Sequence, residues 1–491
     1  MAHGASTIGS RDAVLERGSV PRLLAVLVLG VGLAFDGSGS AGSIEDVIDA
    51  VMPASGVPGL SYAVVTDGEI TSAGARGVAK VGGDTKVTPD MPFSTGSITK
   101  SVTALAVMQL VEAGQVDLDA PVSQYLDALT GQPAGVVTVR QLLSHTSGFS
   151  TLQGNASHTD TTGDQDELAR LVDSLATLAP AYAPGERWEY SNTNYQILGR
   201  LIEVVSGQEY QAYVTDTILE PVGMADSFMA DGEVHDEMAT GHRPWFGTKR
   251  PVPDTRTDRA TASQGGLIAS ANDLARYLQM MMNGQDDVLS AAGKAQMMRP
   301  ASPASPFYGF GWFIDSSTGT VRHSGSTPGF ESLAEMIPAE STGAVVLVNG
   351  GSGIGFGETT QLRNSVTAAA LGLDYDGEGS RWSQRALFIG LVLLPIVYLL
   401  AMAWAWQHRS VVRAKSTNAF GRFSLWFPLL TTVVAAWAIL YLVPTLLGAP
   451  LGTLRLFQPD LGLLLITTAV TGVLWALFRL GAAYSGRPAA A

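Results

Sequence analysis

In the stretch "FSTGSITKSVTAL", Phe93 to Leu105, a hydroxyl stands three residues before an amine, Ser97 before Lys100. Downstream, Val102, Leu105, Ala106, Met108, Leu110 and Val111 recur at helical spacing and Gly114 marks a stop, which predicts a helix over Ser97–Ala113. Side chains three apart share a helix face, so the amine reaches the hydroxyl. Unpaired amides and the dipole at a helix start favour negative charge, so an alkoxide forming on Ser97 is stabilised there. A lysine held among apolar neighbours loses proton affinity and can accept the hydroxyl proton. The pair therefore reads as a nucleophile and its base. A serine cap followed by a solvated lysine is spelled the same way, so partners elsewhere in the chain must decide.

Two further stretches supply them. "EYSNTNYQILG" puts Tyr190 and Asn192 just before a helix, and "VRHSGSTPGF" puts His323, Ser324 and Gly325 at the end of a strand. S-x-x-K, then Y-x-N, then a potentially cationic residue followed by x-Gly resembles the motif order of the serine beta-lactamase and penicillin-binding protein superfamily. The chain is most similar to its branch of class C beta-lactamases, D,D-peptidases, D-aminopeptidases and related esterases. "LLSHTSGF", Leu142 to Phe149, and "GGLIASANDLARY", Gly265 to Tyr277, also resemble segments of that branch. The likeness covers about residues 44–372.

The resemblance implies a role for each matched residue. Ser97 would attack a carbonyl to form an acyl-enzyme and Lys100 would help deprotonate it. Tyr190, its phenol pKa depressed by nearby cations, would shuttle the proton to the leaving group and later activate water. Asn192 would hold Lys100 and a substrate amide. The backbone amides of Ser97 and Ser326 would form the oxyanion hole. Gln153, in "TSGFSTLQ", matches a glutamine that touches the substrate acyl side chain in class C enzymes. His323, Ser324 and Gly325 complete the substrate-binding set. His323 stands where beta-lactamases and most penicillin-binding proteins carry lysine. An imidazole with an ordinary pKa of about 6.5 would hold a substrate carboxylate more weakly. His145, in "LLSHTSG", reads as structural. The seven histidines show no H-E-x-x-H or similar spacing, so neither a metal nor a cofactor is expected.

Strands and helices must carry these residues. "GLSYAVV", Gly59 to Val65, reads as a strand, Asp67-Gly68 as a turn and "EITSAGARGVA" as the hairpin partner. "TVRQLLSHT" and "NYQILGRLIEVVSG" read as helices, the second ending at Gly207, and Ser270 with Asp273 reads as a capping box before "LARYLQMMMNG". After residue 307 strands resume in "YGFGWFI", "VRHSG", "SLAEMI" and "GAVVLVN". Strands from both ends with helices between predict an α+β fold. The pattern gives one antiparallel sheet with a helical region packed against it and the site in the cleft between them, and the resemblance implies a beta-lactamase/transpeptidase-like arrangement of flanking helices and a helical subdomain.

Beyond this region the apolar content rises. Ala386–Trp406, Leu425–Leu447 and Leu461–Phe478 carry no charge and are long enough to cross a hydrocarbon core, so three transmembrane helices follow the hydrolase. Arg409, Arg413, Lys415 and Arg422 fill the first connection with no acid, which places it in the cytoplasm and residue 385 outside. Near the start, Arg11, Arg17 and Arg22 precede the apolar run Leu23–Phe35 and a possible cleavage point after Ala41, an export signal or an uncleaved anchor. The expected organisation is a signal peptide or anchor over 1–41, an extracytoplasmic serine hydrolase over 42–385, a three-helix membrane region over 386–480 and a cytoplasmic tail over 481–491.

Charge agrees with export. Between Asp36 and Arg385 there are 41 acidic residues against 20 basic ones, which makes nucleic acid an unsuitable partner. There is no cysteine, so no thiolate nucleophile, thiolate ligand or disulfide is available. The expectation is a membrane-anchored, multi-pass, outward-facing serine hydrolase of the cell membrane acting on an ester or a peptide-like amide. A D,D-carboxypeptidase or beta-lactamase of the cell wall is the alternative enzyme. A catalytically idle binding or regulatory module is the alternative of another kind.

Overall fold

A computed structural model describes residues 43–157, 166–253 and 256–485; the signal or anchor read at 1–41 and the final residues of the tail lie outside them. Residues 59–348 carry a six-stranded antiparallel sheet. Its strands are β1 (Gly59–Thr66), β2 (Glu69–Gly77), β3 (Phe313–Asp315), β4 (Thr320–Thr327), β5 (Phe330–Ile337) and β6 (Thr342–Val348), in the order β2-β1-β6-β5-β4-β3. The first hairpin thus joins the last strands in the middle of the sheet, with Ala63 opposite Val345 and Leu333 opposite both Val346 and Ser324.

Alternation along β1 explains its position. Leu60, Tyr62 and Val64 point into one apolar cluster and Ala63 and Val65 into another. A strand buried on both faces reads as a continuous apolar run, as "GLSYAVV" does. On the first face lie α1 (Ile44–Ser55) and α5 (Thr360–Leu371), with Ile48, Leu362 and Val366 packed against Leu60, Tyr62 and Val348. On the other lies the helical region: α2 (Thr99–Glu112), α3 (Asn192–Ser206), α4 (Ala271–Met282) and shorter segments, sharing one large core.

The expected helices are present with instructive differences. A 3-10 turn over Gly96–Ile98 precedes α2, so Ser97 sits in the entry turn. α2 is buried nearly all round, and its small residues Ser101, Ala104 and Ala106 let neighbouring elements approach. α3 ends at Gly207 in the left-handed conformation. α4 is capped by Ser270, but Asp273 does not reach back to close a box. Its carboxylate instead accepts from the Asp226 amide and Ser227 hydroxyl and meets Arg276. Of "YGFGWFI" only Phe313 and Ile314 are strand, the start of β3. Tyr308, Phe310 and Trp312 are buried, but the backbone turns back on itself, Gly309 N donating to Trp312 O, so their alternation reflects packing rather than a ladder.

Three long helices end the chain: α6 (Trp382–Gln407), α7 (Ala419–Trp437, continuing through a π turn to Leu446) and α8 (Pro459–Tyr484). Each is long and apolar enough to cross a membrane. They outrun the uncharged runs by including Arg385, Arg422, Asp460 and Arg479 near their ends, because helical hydrogen bonding continues past the apolar stretch. α8 packs between α6 and α7. Leu400 and Leu430 are more than half exposed, which suits a hydrocarbon surround. The portion built on the sheet meets this bundle at the start of α6, where Arg385 donates to Gly355 O and Phe388 packs on Phe246 and Phe356, and at the connection between α7 and α8.

Candidate active site

The entry turn of α2 lies flat against β4. Gly96 has φ +55, and a Cβ there would fall 2.6 Å from Ser326 N; a Cβ on Gly325 would fall 1.8 Å from Thr95 O. Two glycines therefore bring Ser97 and the Ser326 amide to one place. β3 pairs only with residues 320–322, so the outer edge of β4 beyond His323 is not covered by a strand. Ser324 and Ser326 are exposed there, and Ser97 is half-buried.

Lys100 is fully buried. Its Nζ lies 3.1 Å from Ser97 Oγ, 2.8 Å from Asn192 Oδ1 and 2.7 Å from the Gln264 carbonyl. Burial holds its pKa well below the ordinary lysine value. A neutral amine has two protons and one lone pair. Asn192 Oδ1 and the Gln264 carbonyl can only accept, so they take the two protons and the lone pair is left facing the Ser97 hydroxyl.

Tyr190 closes the group from the α3 side. Its ring centroid is 5.0 Å from Lys100 Nζ. The ring edge is partly open, yet the hydroxyl is covered and finds no partner in good hydrogen-bond geometry. Burial raises the phenol pKa and the adjacent Ser97 hydroxyl pulls it back part of the way, a contact that is close but not aligned. The expected depression by cations is thus reversed, because burial penalises the phenolate more than the Ser97 contact stabilises it.

The lining is aromatic. The Tyr190 ring lies 4.3 Å from His145 and 6.5 Å from Phe313, with Trp188 and Tyr308 beside them. These rings exclude water from Lys100 and Tyr190 and account for both shifts. His145 Nδ1 accepts from Ser191 N at 3.2 Å and lies 2.9 Å from Asn194 Nδ2, so the ring anchors the backbone just after Tyr190.

His323 differs from what its motif position implies. It is 1 % exposed, with Nε2 3.2 Å from the Tyr308 hydroxyl and Nδ1 2.7 Å from the Ser324 carbonyl. Burial, reinforced by Lys100, lowers its pKa to about 3. It is therefore a neutral ring engaged with protein on both nitrogens, not an imidazole of ordinary pKa open to a carboxylate. Gln153 is also committed elsewhere. It closes a capping box on the helix Thr151–Ala156, with Oε1 accepting from Ser150 N at 2.8 Å and Nε2 donating to Ala179 O at 2.8 Å. Both ends of its amide thus bond within the protein, leaving one Nε2 proton.

Asn155, two residues on, occupies the place next to the catalytic motifs. Its Oδ1 accepts from Asn192 Nδ2 at 3.0 Å. Nothing in the sequence distinguished it from other surface asparagines, and the Gln264 carbonyl, being backbone, left no trace in residue type. Among the described residues no cluster of histidine and acidic side chains could hold a metal. A surface depression of about 450 Å³, lined by Gln109, Glu112, Asp287 and Ser290, lies at the far end of α2, and its polar groups bond mainly to one another.

Comparison with known proteins agrees with this geometry. A family model described as "Beta-lactamase" matches residues 44–368. The chain is 32% identical over 336 residues to penicillin-binding protein 4 of Amycolatopsis lactamdurans, covering 64% of this chain and 86% of that protein. It is 26% identical over 421 residues to protein flp of Staphylococcus aureus, 82% of each. Among solved structures, the octameric penicillin-binding protein homologue from Pyrococcus abyssi superposes with a TM-score of 0.59 at 30% identity, covering 67% of this chain and 77% of that one. The antiparallel sheet, the S-x-x-K helix entry and the family match converge on one conclusion: this chain belongs to the beta-lactamase family of serine hydrolases.

Proposed function

We propose that the chain is a membrane-anchored, outward-facing hydrolase that cleaves an ester or a peptide-like amide through an acyl-enzyme on Ser97. The observation that carries this reading is the fully buried Lys100, whose Nζ lies 3.1 Å from Ser97 Oγ and whose proton affinity burial lowers. Ser97 Oγ bonds to the substrate carbonyl carbon as its proton passes to Lys100 Nζ. The backbone amides of Ser97 and Ser326 receive the developing oxyanion. Tyr190, a neutral phenol beside Ser97, gives its proton to the departing alcohol or amine and recovers one from Lys100. Two groups whose surroundings favour an uncharged base and an uncharged acid suit these two roles. In the second half water attacks the acyl carbon and the same groups carry the proton back to Ser97. Asn192 steadies Lys100, and the exposed edge at Ser324 and Ser326 is where substrate lies alongside β4.

The neutral, enclosed His323 favours substrates without a carboxylate at that edge. The name of the Amycolatopsis relative supports a second reading, in which the substrate is a D,D-peptide or a penicillin. The junction supports an anchored, multi-pass topology: α6 begins, and α7 joins α8, on the side where the hydrolase sits, whereas Arg409, Arg413 and Lys415 lie in the connection between α6 and α7. Turnover by the purified full-length protein of a panel of esters, D-amino-acid amides and a fluorescent penicillin tests the function. Ester or amide cleavage that disappears in Ser97→Ala is expected. Cleavage that persists in that variant contradicts the reading.

A further inference from the structure

The outer end of α7 meets the rim of the candidate site. Gly448 follows the cap of that helix, and its carbonyl accepts from Asn155 Nδ2 at 2.9 Å. A Cβ on Gly448 would fall 3.2 Å from Thr151 Cγ2. Thr151 in turn donates its hydroxyl to Tyr190 O at 2.7 Å, and Thr453, farther along the connection to α8, donates to Asn155 O at 2.7 Å. Asn155 lies 3.0 Å from the Asn192 amide, which lies 2.8 Å from Lys100 Nζ. Three hydrogen bonds and two side-chain amides span about 15 Å at most, so the end of α7 stands no farther than that from the Lys100 amine.

The length of α7 sets the depth of this point in a bilayer. The uncharged run Leu425–Leu447 begins shortly after Arg422 and matches a hydrocarbon core about 30 Å thick at a rise of about 1.5 Å per residue. Its outer end, where Leu446 and Leu447 are more than half exposed, therefore stands at the boundary between hydrocarbon and headgroups. The headgroup layer beyond is about 5–8 Å deep, and Thr151 and Asn155, in touch with Gly448, lie within it. A second footing lies at the same level. Phe246, in the turn of the hairpin His242–Trp245 and Thr248–Pro251, packs with Phe356 on Phe388 near the start of α6, and both rings stay more than a third exposed. Arg250 stacks over Trp245 on the same hairpin, 4.2 Å from the ring centroid. Aromatic and basic side chains of this kind suit a headgroup layer. Phe246 N donates to the Asp460 carboxylate at 2.8 Å and Arg243 to Leu456 O at 3.2 Å, which fastens the hairpin to the bundle.

We propose that the site draws its substrate from the outer leaflet: an amphiphile that carries the scissile ester or amide in its polar head and keeps its hydrocarbon chains in the bilayer beside Leu446 and Leu447. The proposal deepens the hydrolase reading and rests on it and on the outward-facing topology. The step is unchanged. Ser97 Oγ bonds to the carbonyl carbon, the bond to the alcohol or amine breaks as that group gains a proton, and water later releases the acid and restores Ser97. What the placement adds is access. A polar head that bridges about 15 Å lets the carbonyl reach Ser97 while the chains stay in hydrocarbon. Confinement to the same bilayer then raises the effective concentration of the substrate at the rim.

The test uses the full-length protein in phosphatidylcholine vesicles, with a water-soluble acetate ester as control and product release followed by mass spectrometry. The probes are esters bearing two hexadecyl chains, which keep each molecule in its bilayer. A glycine–serine spacer of about one, four or twelve residues separates chains from ester, reaching about 4, 14 and 40 Å. The chains sit on the acyl side in one series and on the alcohol side in another. In at least one series the four-residue probe should be cleaved several-fold faster than the twelve-residue probe, because a spacer longer than the gap dilutes the ester. The same probe supplied in separate vesicles should react about tenfold more slowly or less. Leu446→Ser combined with Leu447→Ser should slow the four-residue probe several-fold and leave the acetate ester unchanged. Should that variant fail to insert, the spacer series on the wild type carries the test. Rates that rise from four to twelve residues in both series place the site far from the leaflet and overturn the proposal, as do equal rates from the same and from separate vesicles. If neither the acetate ester nor any probe is cleaved and Ser97 is not acylated, the hydrolase reading falls and this proposal with it. If the acetate ester is cleaved and the four-residue probes are not, only the leaflet-borne substrate falls.

Discussion

Ser97 Oγ and Lys100 Nζ lie 3.1 Å apart, the amine wholly buried and the hydroxyl half open to the cleft. One turn of helix thus places a desolvated amine behind an accessible hydroxyl, the arrangement that the proposed roles of base and nucleophile require. Lys100→Arg should reduce kcat/KM by a factor of about 10³, since a guanidinium cannot give up its proton to become a base. In the wild type, activity should be present above the lowered lysine pKa and lost as pH falls through it. Ester turnover against pH checks both. An active arginine variant would remove Lys100 from the mechanism.

Tyr190→Phe separates catalysis from stability. The hydroxyl is buried without an aligned partner, so deleting it costs the fold little and can raise the melting temperature slightly. kcat/KM should nevertheless fall by about 10²–10⁴, the range for a general acid or base. A melting curve and a progress curve on the same preparation suffice. Near-normal turnover would assign Tyr190 to packing alone.

His323 predicts a pH effect on stability rather than on substrate choice. Its folded pKa, about 3, lies below that of a free imidazole, so the unfolded chain binds the proton first. The stability this neutral ring contributes is therefore complete above about pH 6.5 and declines as pH falls toward 3; between pH 7 and 5 the decline is about 2 kcal/mol. His323→Asn should flatten that part of the stability profile. The ratio of rates for carboxylate-bearing and uncharged substrates should not follow an imidazole titration between about pH 5.5 and 8. His323→Lys would bury a charge and should destabilise the fold. A ratio that titrates near 6.5 would place His323 against the substrate.

Orientation gives a separate prediction. A tag in the connection holding Arg409, Arg413 and Lys415 should survive protease added to intact cells, while the hydrolase portion is digested. Loss of that tag from sealed cells would reverse the topology.

What could be read from the chain in advance was whatever depends on residue type at short range. The S-x-x-K pair, the Y-S-N triplet, the αL glycine at Gly207 and the uncharged runs each follow from local chemistry, and the fold and family followed from them. Contacts between distant segments stayed hidden. "YGFGWFI" alternates because Tyr308, Phe310 and Trp312 pack inward, and period alone cannot separate that from a ladder. His323 in its motif suggested a substrate contact, but only the fold shows Tyr308 on its Nε2. Asn155 gains its place from Gly448, 293 residues away, which no spacing rule connects.

Hydrolysis through an acyl-enzyme requires that Ser97 become covalently acylated. Intact-mass measurement after incubating the full-length protein with a slow acylating ester or a phosphonate tests it most directly. A single adduct is expected, its peptide mapping to Ser97, absent in Ser97→Ala and strongly slowed in Lys100→Arg. An adduct of equal extent in Ser97→Ala would contradict it.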